Sequence, residues 1–63
     1  MSKYVVGTWI DGTCYYISDY WFYSKNGANQ VSHTIGTLEN AVIFDEKTAR
    51  IIGMILSMDM YLY

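Results

Sequence analysis

The sequence predicts a small α+β domain, an antiparallel β-sheet with one amphipathic helix packed on one face, in the order β-β-β-(β)-α-β. Three observations lead there. Asp11-Gly12 separates two strand-like runs, the strongest short-range hairpin signal. Ala49, Ile52, Gly53 and Leu56 recur at i, i+3, i+4 and i+7, the spacing of one helix face. Met58 to Tyr63 then returns to a period of two, the spacing of a strand.

Lys3 to Ile10 is rich in strand formers, with Tyr4, Val6 and Thr8 on one face and Val5, Gly7 and Trp9 on the other. A two-residue turn at Asp11-Gly12 sets Ile10 opposite Thr13, Trp9 opposite Cys14 and Thr8 opposite Tyr15. Ser18-Asp19 interrupts the second run as a bulge or a short turn. Tyr20-Trp21-Phe22-Tyr23 resumes it, with Tyr20 and Phe22 on one face and Trp21 and Tyr23 on the other. Lys25 to Asn29 is a loop around Asn26-Gly27, and Gln30 to Ile35 forms a third strand. Leu38 to Phe44 is ambiguous between strand and helical turn: Leu38 to Ala41 fits one turn of helix, and Ala41 to Phe44 reads more like a short strand.

Asp45 is placed to cap the helix, with Glu46 favourable beside the positive end of its dipole. Phe44 is placed to staple onto Ala49. Ile51 and Ile55 are expected to broaden the buried stripe, and Gly53 to let the helix approach the sheet closely. One helix cannot cover a sheet of four or five strands, so the opposite face is either solvated or a subunit interface.

The run Leu38 to Ala49, followed by Ile51-Ile52 and Leu56, resembles small uncharacterised accessory proteins encoded by phages and prophages of Gram-positive bacteria. Ala41, Phe44, Asp45 and Ala49 are the matching positions, and the block Tyr20 to Tyr23 departs from the pattern. The resemblance implies an accessory role in phage or host takeover and supplies no catalytic residues.

Size and composition narrow the function. A 63-residue chain is one domain, residues 1–63, and buries only about 60% of the surface its unfolded form exposes. Chains this small usually gain stability from disulfides, a metal or a second subunit. A lone Cys14 rules out an internal disulfide, and Cys14 with the single His33 cannot supply an ordinary four-ligand zinc site. Self-association is the remaining common route, so a homodimer is expected. Lys3, Lys25, Lys47 and Arg50 are scattered, which disfavours nucleic acid as a partner. Six carboxylates over the chain are too sparse for an acidic DNA mimic.

Met1-Ser2-Lys3 runs straight into a strand pattern with no apolar leader, and the apolar run Ile51 to Met58 is far short of a membrane span. The cytoplasm is the expected compartment. Cys14 and His33 form the one candidate nucleophile–base pair, but no oxyanion nest or third member accompanies them. The chain is expected to be no enzyme and to use no cofactor.

The aromatic residues carry the functional reading. Tyr16, Tyr20, Trp21, Phe22, Tyr23, Tyr61 and Tyr63 are the candidate surface for a homodimer or for a host protein, because Trp and Tyr dominate binding hot spots. Base stacking on single-stranded nucleic acid fits less well, since such platforms sit in a positive groove.

Overall fold

Two tight turns with left-handed backbone at both central residues organise the sheet. Asp11 and Gly12 have φ of 50° and 80°, and Asn26 and Gly27 have φ of 53° and 79°. That geometry matches the natural twist of antiparallel strands. In the computed structural model, which describes residues 2–63, these turns join β1 (Tyr4–Ile10), β2 (Thr13–Lys25) and β3 (Ala28–Gly36). A 3₁₀ turn at Leu38–Asn40, the helix α1 (Glu46–Leu56) and the strand β4 (Asp59–Leu62) complete the chain. The sheet is antiparallel throughout, with spatial order β3-β2-β1-β4.

The first hairpin has the expected register, Trp9 opposite Cys14 and Ile10 opposite Thr13. The loop expected over Lys25 to Asn29 is shorter, because Lys25 already pairs with Ala28 across the Asn26-Gly27 turn. The interruption at Ser18-Asp19 is a bulge inside one continuous strand, with Ile17 opposite Ile35 and Asp19 opposite Thr34. The extra residue inverts the alternation beyond it. Ile17 and Tyr20 therefore both face the helix side, although they are three residues apart. Tyr20 packs on Phe44 there, with ring centroids 5.3 Å apart.

β1 and β2 pair from Gly7 and Tyr16 toward the turn, and the chain following the 3₁₀ turn fills the space where they part. The Val42 amide donates to the Ile17 carbonyl at 2.8 Å. Phe44 and Tyr4 exchange both backbone hydrogen bonds, at 2.8 and 2.9 Å. Residues 41–44 thus form no strand of the sheet; Phe44 makes a single isolated bridge to β1.

The Asp45 side chain accepts the Thr48 amide at 2.7 Å and caps α1, while Arg50 pairs with Glu46 one turn below it. At the other end the Met58 amide donates to the Gly53 carbonyl and the Ser57 amide to that of Met54. This two-bond closure needs a left-handed residue, and Ser57 supplies it with φ 56° and ψ 44°. The helix packs on β1 and β4. Val6, Ile17, Phe44, Ala49 and Ile52 form the buried cluster beneath it.

Two helix expectations need correction. Ile51 and Ile55 do not extend the buried stripe; both are exposed, as is Met54. Gly53 is buried, but its tight neighbour is not the sheet. A Cβ there would meet the Met58 carbonyl oxygen at 3.0 Å, so the glycine makes room for the chain turning out of the helix.

Candidate binding surface

The helix leaves one sheet face uncovered, and alternation assigns its residues. From β1 come Val5, Gly7 and Trp9; from β4, Asp59 and Tyr61, with Tyr63 continuing the same alternation. From β2 come Cys14 and Tyr16, then Trp21 and Tyr23 beyond the bulge. The seven aromatic residues expected to form one surface are therefore divided. Tyr16, Trp21, Tyr23, Tyr61 and Tyr63 share the open face. Tyr20 and Phe22 lie on the helix side, edge to face with centroids 6.0 Å apart. Tyr20 is partly buried against the core, while Phe22 projects past the covering chain and is exposed.

Trp9 joins the open face as an aromatic residue the sequence reading left out of the candidate surface, although its pairing with Cys14 already placed it beside Tyr16. It is 62% exposed, close to the 65% of Tyr63. Its indole N–H donates to the Tyr61 hydroxyl at 3.1 Å. Tyr61 meets Tyr16 edge to face, with centroids 6.3 Å apart and planes at 78°. Gly7 makes this convergence possible. It pairs with Tyr16 on one side and Asp59 on the other, so Trp9, Tyr16 and Tyr61 lean together over a position without a side chain. A Cβ at Gly7 would meet the Tyr15 carbonyl oxygen at 2.7 Å and Tyr16 Cδ1 at 2.9 Å. Val5, also on this face, is 2% exposed and lies outside the helix-side cluster, with Tyr61 directly across from it.

The second part of the face sits on the outer half of the β2–β3 hairpin. Trp21 stands opposite Ser32 and Tyr23 opposite Gln30, whose side-chain oxygen accepts the Tyr23 hydroxyl at 3.0 Å. A polar band separates the two parts. Ser18 and Thr34 share a hydroxyl hydrogen bond at 2.9 Å, and Asp19 accepts the Tyr20 amide at 2.9 Å. The open face is thus two aromatic clusters with a polar waist.

Its electrostatics are mild. The Tyr16 phenol is raised above its ordinary value of 10.0, first by its hydrogen bond with the Cys14 side chain, then by partial desolvation and by the charges of Cys14 and Tyr61. Tyr16 is therefore a neutral donor or acceptor throughout the physiological range.

Cys14 and His33 do not form a catalytic pair. Cys14 lies on the open face beside Tyr16, whereas His33 stands opposite Tyr20 on the helix side. The six residue steps of β2 from Cys14 to Tyr20 put roughly 20 Å between them along the sheet. Cys14 is half-buried, less enclosed than a core thiol. Among the described residues no group of three or more His, Cys, Asp or Glu is placed to hold a metal ion. A depression of about 410 Å³ beside Lys3, Phe44 and Glu46 contains no residue of the aromatic face. No helix among the described residues is long and apolar enough to cross a membrane.

Comparison with protein-family models, with curated proteins and with solved structures gives no match.

Proposed function

We propose that this chain is a non-enzymatic, homodimeric binding protein that engages another protein through its open aromatic sheet face. The observation that carries the reading is the exposure of Trp9, Trp21, Tyr23 and Tyr63 on a face that, among the described residues, nothing else covers. Large rings with a polar tip give much contact area for little lost rotamer freedom, the property that makes them binding anchors. Acidic net charge and scattered basic residues favour a protein over a nucleic acid as the partner. The role is that of an accessory protein of phage type, as the run from Leu38 to Ala49 implies by resemblance, and the lone Cys14 suits the reducing cytoplasm.

The test combines capture and solution mass. The wild-type chain, immobilised, retains a host protein, and the double variant Trp9→Ser/Trp21→Ser does not, while both keep the same far-UV spectrum. Light scattering over a dilution from about 200 to 1 μM, a span that brackets weak and moderate association, returns a dimer for the wild type. Equal retention by the folded double variant removes the aromatic face from the reading. A monomer throughout removes the dimer.

A further inference from the structure

The sheet has two free edges, and they differ. β4 is four residues long and carries Asp59. β3 runs nine residues, Ala28–Gly36, without a Lys, Arg, Asp, Glu or Pro. Natural edge strands are normally protected by charges, prolines, bulges or brevity, because unpaired backbone groups otherwise recruit another strand. The one bulge near this edge belongs to β2, on the inner side. Among the described residues, no element apart from β2 makes more than marginal contact with β3.

The hairpin geometry states which backbone groups are free. The two-residue turn closes on the pair Lys25 and Ala28. Alternation of hydrogen-bonded and non-bonded pairs then turns the N–H and C=O of Ala28, Gln30, Ser32 and Thr34 toward β2. Those of Asn29, Val31, His33 and Ile35 point outward. These outward residues are symmetric about Ser32.

We propose that two copies of this chain join edge to edge through β3, antiparallel, around a two-fold axis at Ser32, forming one eight-stranded sheet. This rests on the homodimer of the preceding section and names its surface. In this register Val31 faces His33 of the partner subunit and Asn29 faces Ile35 of the partner subunit. Every outward residue is used, giving roughly eight inter-chain hydrogen bonds with no like charges opposed. The symmetry is isologous and closed, so assembly stops at two.

Three further features favour the edge over the aromatic face as the dimer contact. The polar waist of Ser18, Asp19 and Thr34 divides the open face, so it offers no single apolar patch. The chain exposes 4548 Å², above the roughly 4,200 Å² expected for its mass, and residues 21–30 are exposed throughout. A two-stranded ribbon is marginal alone, whereas pairing with a second copy makes it four-stranded. Edge pairing also leaves both aromatic faces on the same side of the assembly and free for a partner.

The register is testable by disulfide trapping in the full chain. Cys14→Ser removes the native thiol, and Ser32→Cys then places two thiols opposite each other at the axis. That pair is of the non-bonded kind, with Cα atoms about 4.5 Å apart, inside the range that a disulfide spans. We expect mild oxidation to convert this variant to a covalent dimer, and the matching Cys14→Ser/Thr34→Cys variant to remain uncrosslinked, because Thr34 faces Gln30 of the partner subunit. A Ser32→Cys variant that stays uncrosslinked overturns the proposal, as does equal crosslinking at both positions. A dimer by light scattering without crosslinking at Ser32 overturns the β3 register and leaves the homodimer standing. A monomer by light scattering overturns both.

Discussion

Gly7 carries more of this molecule than any side chain on the open face. Its missing Cβ is what admits the Tyr16 ring over β1. Gly7→Ala should destabilise the fold by about 2 kcal/mol through overpacking. Urea unfolding would show it as a lower midpoint with unchanged slope. Ser57 presents the opposite case. It holds a left-handed conformation that costs a non-glycine residue about 1 kcal/mol, so Ser57→Gly should stabilise by about that amount. An unchanged thermal midpoint would show that the Ser57 side chain compensates. Asp45 is held below its ordinary 3.8 by hydrogen bonds from the Thr48 backbone and then its side chain. A lowered folded-state pKa adds stability above the unfolded value and loses it as pH falls through the folded one. Asp45→Ala should therefore melt below wild type at pH 7, and the gap should narrow as pH drops below 3.8.

Among the elements, those with local chemical signals were legible in the sequence. The Asp11-Gly12 turn fixed the first register, the Asp45 cap fixed the start of α1, and alternation fixed the faces of β4. Three features were legible only in part, each for a physical reason. Ser18-Asp19 read as either a bulge or a short turn, because the choice depends on how β3 pairs with β2, and a single sequence does not state pairing. Residues 41–44 have the side chains of a strand, but their place is set by the space that opens beside the bulge. Ile51 and Ile55 are apolar, but helical spacing turns them well away from the stripe of Ala49, Ile52, Gly53 and Leu56, so they face outward from the sheet. The bulge invites a direct test. Deleting Ser18 joins Ile17 directly to Asp19, so the ladder becomes unbroken while Tyr20 to Tyr23 keep their partners and faces. We expect the near-UV signal of packed rings to be kept. A lost signal would show that the local twist of the bulge is needed to seat Tyr20 on Phe44.

At the scale of the whole molecule, six apolar side chains among the described residues are buried, which is a small core for a free-standing fold. A dimer couples folding to association, so the thermal midpoint should rise with protein concentration. A midpoint independent of concentration over a hundredfold range would argue for a self-sufficient monomer. The aromatic surface was legible as an inventory rather than as a geometry. Composition identified the rings, yet only the bulge and Gly7 decide which of them share a face.

The polar waist has a practical consequence. It leaves one tryptophan on each side: Trp9, bonded to Tyr61, and Trp21, opposite Ser32 on the hairpin. The protein thus carries two tryptophans, each confined to one half of its open face, which selective excitation separates from its tyrosines. Trp21→Phe leaves tryptophan emission from the body of the sheet alone, and Trp9→Phe leaves it from the hairpin alone. Quenching or spectral shift on adding a partner then reports which cluster is touched, without any introduced dye.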